Sequence, residues 1–359
     1  MPLEALHLNA GEKAELYVKM HILAGQPVFT LDAQTSRPTE RTLNFHSVYL
    51  KSTSSVSGGG FTEVLCGSEE LPLVEGSIDP KDYLLREDLL QGLELLRGSI
   101  DGQDDLPLHF VQLLRRLGIS GAGNQTNVDI SGRLTGLDGD RKFGFSIKSF
   151  VGSQPTLLNA SQENTNFRFK IDGDDDAKRC LTTAAIFPEI STTLNFLTNS
   201  NLRLVPLGAK SEGFKANLRF FGEGFDVFLG TLMLNSYSAP FKPRGIAENF
   251  EFGSGLWSET DKASRKYALQ GFLRAAALGM TTKKPWNGRS ETYGGYLILN
   301  EDYSVTSVGI QNDDDFRDYL FTQTYFESPS RNRHKYGFWY QEKDDWYLDL
   351  NLQVRFKKQ

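Results

Sequence analysis

The chain predicts an α/β protein. Three observations carry this expectation: a capped helical segment near the start, two alternating runs joined by a Gly/Asp-rich turn in mid-chain, and further helical and strand-like periodicities interleaved toward the end. At 359 residues and 39% apolar content, one large domain or two ordinary ones can bury a sizeable core.

The first element is "NAGEKAELYVKMHILAG", with Asn9 placed to cap, acids in the first turn and Gly25 after the last periodic residue. Leu16, Tyr17, Met20 and Leu23 form one apolar face. Val18 and Ile22 lie on another side together with Glu15, so the helix is expected to be mostly buried. Val28 to Leu65 is β-rich, through "TLNFHSVYL", and the composition of "STSSVSGGG" marks a loop. "DPKDYLLREDLLQGLELLRG" predicts a helix from Asp79-Pro80 to Gly98, and "LPLHFVQLLRRLG" a third helix.

In "NVDISGRLTGLDGDRKFGFSIKS" two alternating runs flank a turn, which is a hairpin signal. Val128, Ile130 and Leu134 take one face of the first run, leaving Asp129, Ser131 and Arg133 on the other. In the second run Phe143, Phe145 and Ile147 alternate with Gly144, Ser146 and Lys148. Farther on, "IDGDDDAKRC" predicts a polar loop, "FPEISTTLNFLTN" a helix, and "FKANLRFFGEGFDVFLGTLML" a mixture of short strand and helix. "SRKYALQGFLRAAALGM" predicts a helix, and "GGYLILNEDYSVTSVGI" and "HKYGFWYQEKDDWYLDLNLQVRF" predict strands. A boundary is expected near Pro240 to Arg244, dividing residues 1–240 from an α+β region at 241–359.

The net charge of -6 argues against a protein coated in basic surface, yet leaves room for a locally basic cleft. Cys66 and Cys180 stand far apart, in no metal-ligand spacing, and the chain opens without a signal-like run, which points to a reducing cytoplasm. No apolar stretch approaches the roughly 20 residues that span a bilayer.

A lysine on a strand face is unusual unless it serves chemistry or pairs with an acid. Hydrolysis of a phosphodiester needs a divalent cation on a phosphate oxygen and a cation near the attacking water. Asp129 on one strand and Lys148 on the next could supply both needs, or could form an ordinary cross-strand ion pair. Asp138 and Asp140 suit turn formation. The arrangement Asp129, turn, Ser146-Ile147-Lys148 resembles the PD-(D/E)XK nuclease core, with serine in place of the usual second acid.

Three blocks, "NAGEKAELYV", "DISGRLTG…FGFSIKSFVGSQPTLLNAS…TNFRF" and "FESPSRNRHKYGFWYQEKDDWYLDLNLQVRF", together resemble the HpaII family of type II restriction endonucleases. The resemblance implies a PD-(D/E)XK core, a mixed sheet flanked by helices, with additional α+β elements for DNA recognition. It also implies a Mg2+-dependent member of a restriction-modification system cutting double-stranded DNA, at CCGG or another G·C-rich site. Carried over by residue, Asp129 matches the metal-binding aspartate, Lys148 the strand lysine and Glu15 the glutamate of the N-terminal motif. The main-chain carbonyl of Ile147 would assist the metal, and Ser146 would add a hydrogen bond. Glu12 is a secondary candidate, since the helix dipole already favours first-turn acids, and Glu15 could instead pair with Lys19 at i, i+4.

Beyond the lysine strand lie Gln154, Asn159, Ser161, Asn164 and Asn166, able to bond phosphates or base edges or simply their own backbone. Arg331, Arg333, His334 and Lys335 form the densest basic stretch, suited to guanine edges or to phosphates. Gln353 and Arg355 serve DNA or structure equally well. Two alternatives remain open, a structure-selective repair nuclease and a catalytically silent DNA- or protein-binding module. Assembly is open too, a homodimer included.

Overall fold

In the computed structural model, Asn9 caps the first helix as its side chain suggests. Its Oδ1 accepts from the Glu12 N–H at 3.0 Å, and the Glu12 carboxylate accepts from the Asn9 N–H at 2.8 Å. Two of the donors that every helix start leaves unpaired are thereby satisfied. The helix, α1 (Ala10–Leu23), buries Ala14, Leu16, Tyr17, Val18, Met20, His21, Ile22 and Leu23. The expected multi-sided burial is therefore present, with the strands on one side and α2 (Arg86–Asp101) on another.

The structure describes residues 8–33, 35–51, 61–72, 83–102, 107, 110, 129–135, 142–183, 187, 189–238, 245–253, 259–290, 292–309 and 312–358. The "STSSVSGGG" loop, the Asp79-Pro80 helix start, most of "LPLHFVQLLRRLG", Val128, Asp138, Asp140 and the expected boundary at Pro240 to Arg244 lie outside these residues. The chain divides into two units: Met1–Pro155 with Glu291–Phe316 and Lys358–Gln359, and Thr156–Ser290 with Arg317–Lys357. That division differs from 1–240 and 241–359. The reason is that strand-forming residues from the second half return to the sheet of the first.

The first unit contains β1 (Val28–Leu31), β2 (Pro38–Leu43), β3 (Phe45–Lys51), β4 (Phe61–Leu65), the short β5 (Glu70–Pro72) and β6 (Tyr83–Leu85), β7 (Ile130–Leu134) and β8 (Phe143–Ser149). The second unit follows with β9 (Thr156–Leu158), β10 (Asn166–Asp172) and β11 (Arg203–Ala209) before β12 (Tyr296–Leu299) and β13 (Val305–Val308) rejoin the first. The resulting eight-stranded sheet has the order β2-β1-β13-β12-β8-β7-β3-β4. It is mixed, since β8 pairs parallel with β12 and antiparallel with β7. The predicted hairpin is present in the register Ile130↔Phe145, Gly132↔Phe143. Phe143, Phe145 and Ile147 enter the core shared with α1, which turns Ser146 and Lys148 to the opposite face.

Two expectations need correction here. Tyr83–Leu85, assigned to a helix by sequence, pairs as β6 with β5, and α2 begins only at Arg86. Nor does α2 stop at Gly98. Lys13 donates to Ser99 Oγ at 2.7 Å and to its carbonyl at 3.0 Å, which holds the helix against α1 for another turn.

The second unit adds β14 (Thr324–Phe326), β15 (Trp339–Glu342), β16 (Asp345–Asn351) and β17 (Val354–Phe356). Its sheets have the orders β11-β10-β16-β15 and β14-β17-β9. Within "IDGDDDAKRC" a helix runs from Asp175, because Asp174 accepts from the Ala177 N–H at 2.6 Å and acids fill the first turn. "FKANLRFFGEGFDVFLGTLML" holds no strand either. Phe214 and Leu218, four residues apart, face the core of the helix Glu212–Leu218, and a second helix spans Phe225–Tyr237. The helices expected in "FPEISTTLNFLTN" and "SRKYALQGFLRAAALGM" are present as Ile190–Asn199 and Glu259–Ala277. Among the described residues no helix is long and apolar enough to cross a membrane.

The approach of β3 to β7 depends on Gly132, where a Cβ would lie 2.3 Å from the backbone carbonyl oxygen of Ser47. Gly132→Ala is expected to lower stability by about 1–3 kcal/mol, because the clash is with backbone that cannot swing aside. Denaturant unfolding measures it, and a midpoint equal to that of the unsubstituted protein would show that the pairing tolerates the methyl.

Candidate active site

The hairpin geometry decides what the Asp129 side chain meets. The Asp129 N–H donates to the Phe145 carbonyl at 2.9 Å, so this residue extends the β7–β8 ladder by one position beyond Ile130. Its carboxylate then turns onto the next strand, where Oδ2 accepts from the Ser146 hydroxyl at 3.0 Å and from the Ile147 N–H at 2.7 Å. Oδ1 has no hydrogen bond among the described residues. A strand residue projects its N–H and its carbonyl from the same edge, so the Ile147 carbonyl leaves β8 on the Asp129 side.

Ser146 is buried and Lys148 partly so. The Lys148 ammonium lies 5.2 Å from the centroid of the Tyr296 ring, whose residue pairs with Ser146 across β8 and β12. Burial pushes the Lys148 ammonium below the ordinary lysine range, against the opposing pull of Asp129 and Glu15. The reverse holds for Glu15, on the side of α1 that also carries the buried Val18 and Ile22. Burial raises its carboxyl above the ordinary glutamate range, and the Asp129 charge raises it further, while Lys19 and Lys148 oppose. Glu15, Asp129 and Lys148 thus share one electrostatic environment. No ion pair joins Glu15 to Lys19 among the described residues, and Glu15 has no hydrogen-bond partner there. Glu12 is occupied by the α1 cap.

No group of three or more His, Cys, Asp or Glu is arranged to hold a metal ion among the described residues. The donor set nevertheless fits a magnesium-sized cation. Such an ion takes hard oxygen ligands, commonly one or two carboxylates with the rest from water and phosphate. A carboxyl whose proton affinity is raised by burial and by a neighbouring carboxylate, as that of Glu15 is by Asp129, marks a place where a divalent cation relieves repulsion.

The DNA-contact candidates separate by environment. Gln154 is partly buried in the first unit, and the others lie in the second. Asn159, Arg333 and Lys335 are exposed. Ser161 and Asn164 bond each other, with the Asn164 N–H on the Ser161 carbonyl at 2.8 Å. Asn166 is 3% exposed, and its Oδ1 accepts from Asn351 Nδ2 at 2.6 Å. Arg331 is enclosed as well. It is buried, donating to the carbonyls of Phe187, Tyr336 and Gly337 and lying over the Phe338 ring, so the fold already uses its guanidinium. His334 is partly buried, and burial with the neighbouring Arg333 lowers its pKa. Arg355 pairs with Glu327 at 3.0 Å and Gln353 is buried, which favours structural roles for both. Tyr296 was not singled out from sequence. Its place under Lys148 depends on the register between two strands about 150 residues apart, for which no local pattern is a signal.

Two carboxylates, a hydroxyl and a desolvated lysine gathered where a helix meets the middle strands of a mixed sheet suit a hydrolase that activates water beside an anionic substrate. The chain belongs to the HpaII restriction endonuclease family, whose model matches residues 114–356. Its class is that of type II restriction endonucleases, site-specific deoxyribonucleases. It is 28% identical to the type II restriction enzyme HpaII of Haemophilus parainfluenzae over 97% of this chain and 98% of that protein. No solved structure matches the chain.

The Glu15 environment makes a prediction about stability. A carboxyl whose folded-state pKa is raised contributes stability that is present below its unfolded pKa and lost as pH rises through the folded value. Without metal, Glu15→Gln is therefore expected to stabilise the protein at neutral pH and to make little difference well below pH 4. Mg2+ should raise the melting temperature of the unsubstituted protein at neutral pH more than that of Glu15→Gln. Equal Mg2+ effects on both would leave Glu15 outside any metal site.

Proposed function

We propose that this restriction endonuclease is Mg2+-dependent and cuts both strands of a short double-stranded DNA site, CCGG or another G·C-rich sequence, on a PD-(D/E)XK core. The observation that supports it most is Asp129, held by Ser146 and the Ile147 N–H with one oxygen left over, sharing its environment with Glu15 and Lys148. Asp129 and Glu15, with the Ile147 carbonyl, would hold the cation. When bound, Mg2+ supplies charge neutralisation at the scissile phosphate and acidifies water.

The protein's own groups do the rest. Ser146 and the Ile147 amide fix the Asp129 carboxylate, so that Oδ1 faces a ligand without reorganisation. Lys148, with its proton affinity reduced by burial, orients the attacking water and can take its proton. Gln154, Asn159, Ser161, Asn164, Asn166, Arg331, Arg333, His334 and Lys335 are the candidates for DNA contact, and of these Asn159, Arg333 and Lys335 are exposed. A cytoplasmic location and a homodimer acting on the two strands fit this reading.

The test is to incubate the protein with phage DNA and Mg2+ and to sequence the cut ends. A fixed sequence at every end, lost without divalent metal, is the expected result. Ends at irregular positions or at structural junctions would favour a repair nuclease, and no cutting under any metal would favour a binding module. In the same assay Lys148→Ala is expected to reduce cleavage by at least about 100-fold, with target binding retained. A near-normal rate would remove Lys148 from the reaction.

A further inference from the structure

One surface of the second unit is absorbed by none of the roles above. Between the helix Glu212–Leu218 and residue 289, two segments come together through a single buried amide. Asn217 is 1% exposed, and its side chain uses its bonding capacity on one loop. Nδ2 donates to the carbonyls of Thr281 at 2.8 Å and Lys284 at 2.9 Å, and Oδ1 accepts from the Trp286 N–H at 2.8 Å. Trp286 closes the loop further by donating from Nε1 to the Arg289 carbonyl at 2.9 Å and by stacking on Phe221, with centroids 5.9 Å apart.

What this staple holds out is basic. Lys283, Lys284 and Arg289 are exposed, as is Arg219 beside them, and none has an ion-pair partner among the described residues. Residues 212–223 and 281–289 carry five cations, Lys215, Arg219, Lys283, Lys284 and Arg289, against the two acids Glu212 and Glu223, in a chain of net charge -6. Between the cations stands Phe220, 57% exposed, its ring edge-on to Trp286 with centroids 5.1 Å apart. Several other cations of this unit are paired internally: Arg168 with Glu342, Lys170 with Asp345 and Lys210 with Asp349.

We propose that this stapled loop with Arg219 and Phe220 is a sequence-independent DNA-backbone contact. Lys283, Lys284, Arg289 and Arg219 take phosphates, and Phe220 packs on deoxyribose between them. Unpaired cations on a fixed loop bind phosphate without first breaking an internal ion pair or ordering the backbone, so the full counterion-release gain is available. The inference rests on the reading of this chain as a DNA-cutting enzyme, and it assigns part of the affinity to residues outside both the acid–lysine site and the 331–335 segment.

The experiment compares the full-length protein with the triple variant Lys283→Ala, Lys284→Ala, Arg289→Ala. Binding of a duplex containing the cut site and of a random duplex is measured in Ca2+ across a range of salt. The variant is expected to lose about tenfold or more in affinity for both duplexes at physiological salt, with the salt slope shallower by about 0.9 for each phosphate no longer neutralised. Lys283→Arg with Lys284→Arg should keep both affinity and slope, since charge and reach are retained. An unchanged slope in the triple variant of a protein that still cuts DNA overturns this proposal alone and leaves the patch to another partner. Loss confined to the target duplex also overturns it, because the residues would then read bases. Failure of the unsubstituted protein to cut or bind any DNA would instead overturn the reading on which the proposal rests.

Discussion

The active-site arrangement depends on one shared acceptor. Asp129 Oδ2 receives a hydroxyl from Ser146 and an amide from Ile147, both on the strand next to its own. Two hydrogen bonds to a carboxylate are charge-assisted and directional, so they fix both the position of the group and which oxygen is left over. The antiparallel register of β7 on β8 puts Asp129 opposite that pair, and the Gly132 approach to Ser47 holds β7 in place from its other side. Ser146, which brings no charge of its own, thus acts here as a donor to Asp129. What it lacks in charge it supplies in orientation.

The electrostatics follow from burial. Glu15 and Lys148 are each pushed toward their neutral forms by loss of solvent; Asp129 adds to the push on Glu15 while Lys19 and Lys148 oppose it, and Asp129 and Glu15 partly restore Lys148. Such opposed shifts are expensive for a protein that needs only stability. They are useful where a cation must be attracted or a proton must move near neutral pH, and clusters of this kind are concentrated at functional sites. In the second unit the opposite design prevails, since Asp349 is nearly enclosed by Lys210, Tyr340 and Arg168, and charge there is spent on holding β10, β15 and β16 together.

Local pattern was sufficient for α1, for the hairpin and for the split of Asp129, Ser146 and Lys148 onto polar positions, because capping and strand alternation are written within a few residues. The family resemblance added the roles. What local pattern could not supply was register and tertiary use. Nothing near Arg331 signals that its guanidinium will reach the Phe187 carbonyl, 144 residues away, and nothing near Asn166 signals Asn351. Both side chains are buried and hydrogen-bonded within the fold. The same limit hid Tyr296 and Asn217, whose partners are set by strand pairing and by a distant loop. The return of β12 and β13 to the first sheet is likewise a long-range crossover that composition does not signal.

If Asp129 carries the metal-dependent part of catalysis, metal uptake measures its role most directly. Calorimetric titration of Mn2+ into the protein bound to a non-cleavable target duplex should show a site that Asp129→Asn abolishes, while metal-free binding of the duplex persists. Unchanged Mn2+ uptake by Asp129→Asn would contradict the account and move the metal, and with it the reaction centre, away from β7 and β8.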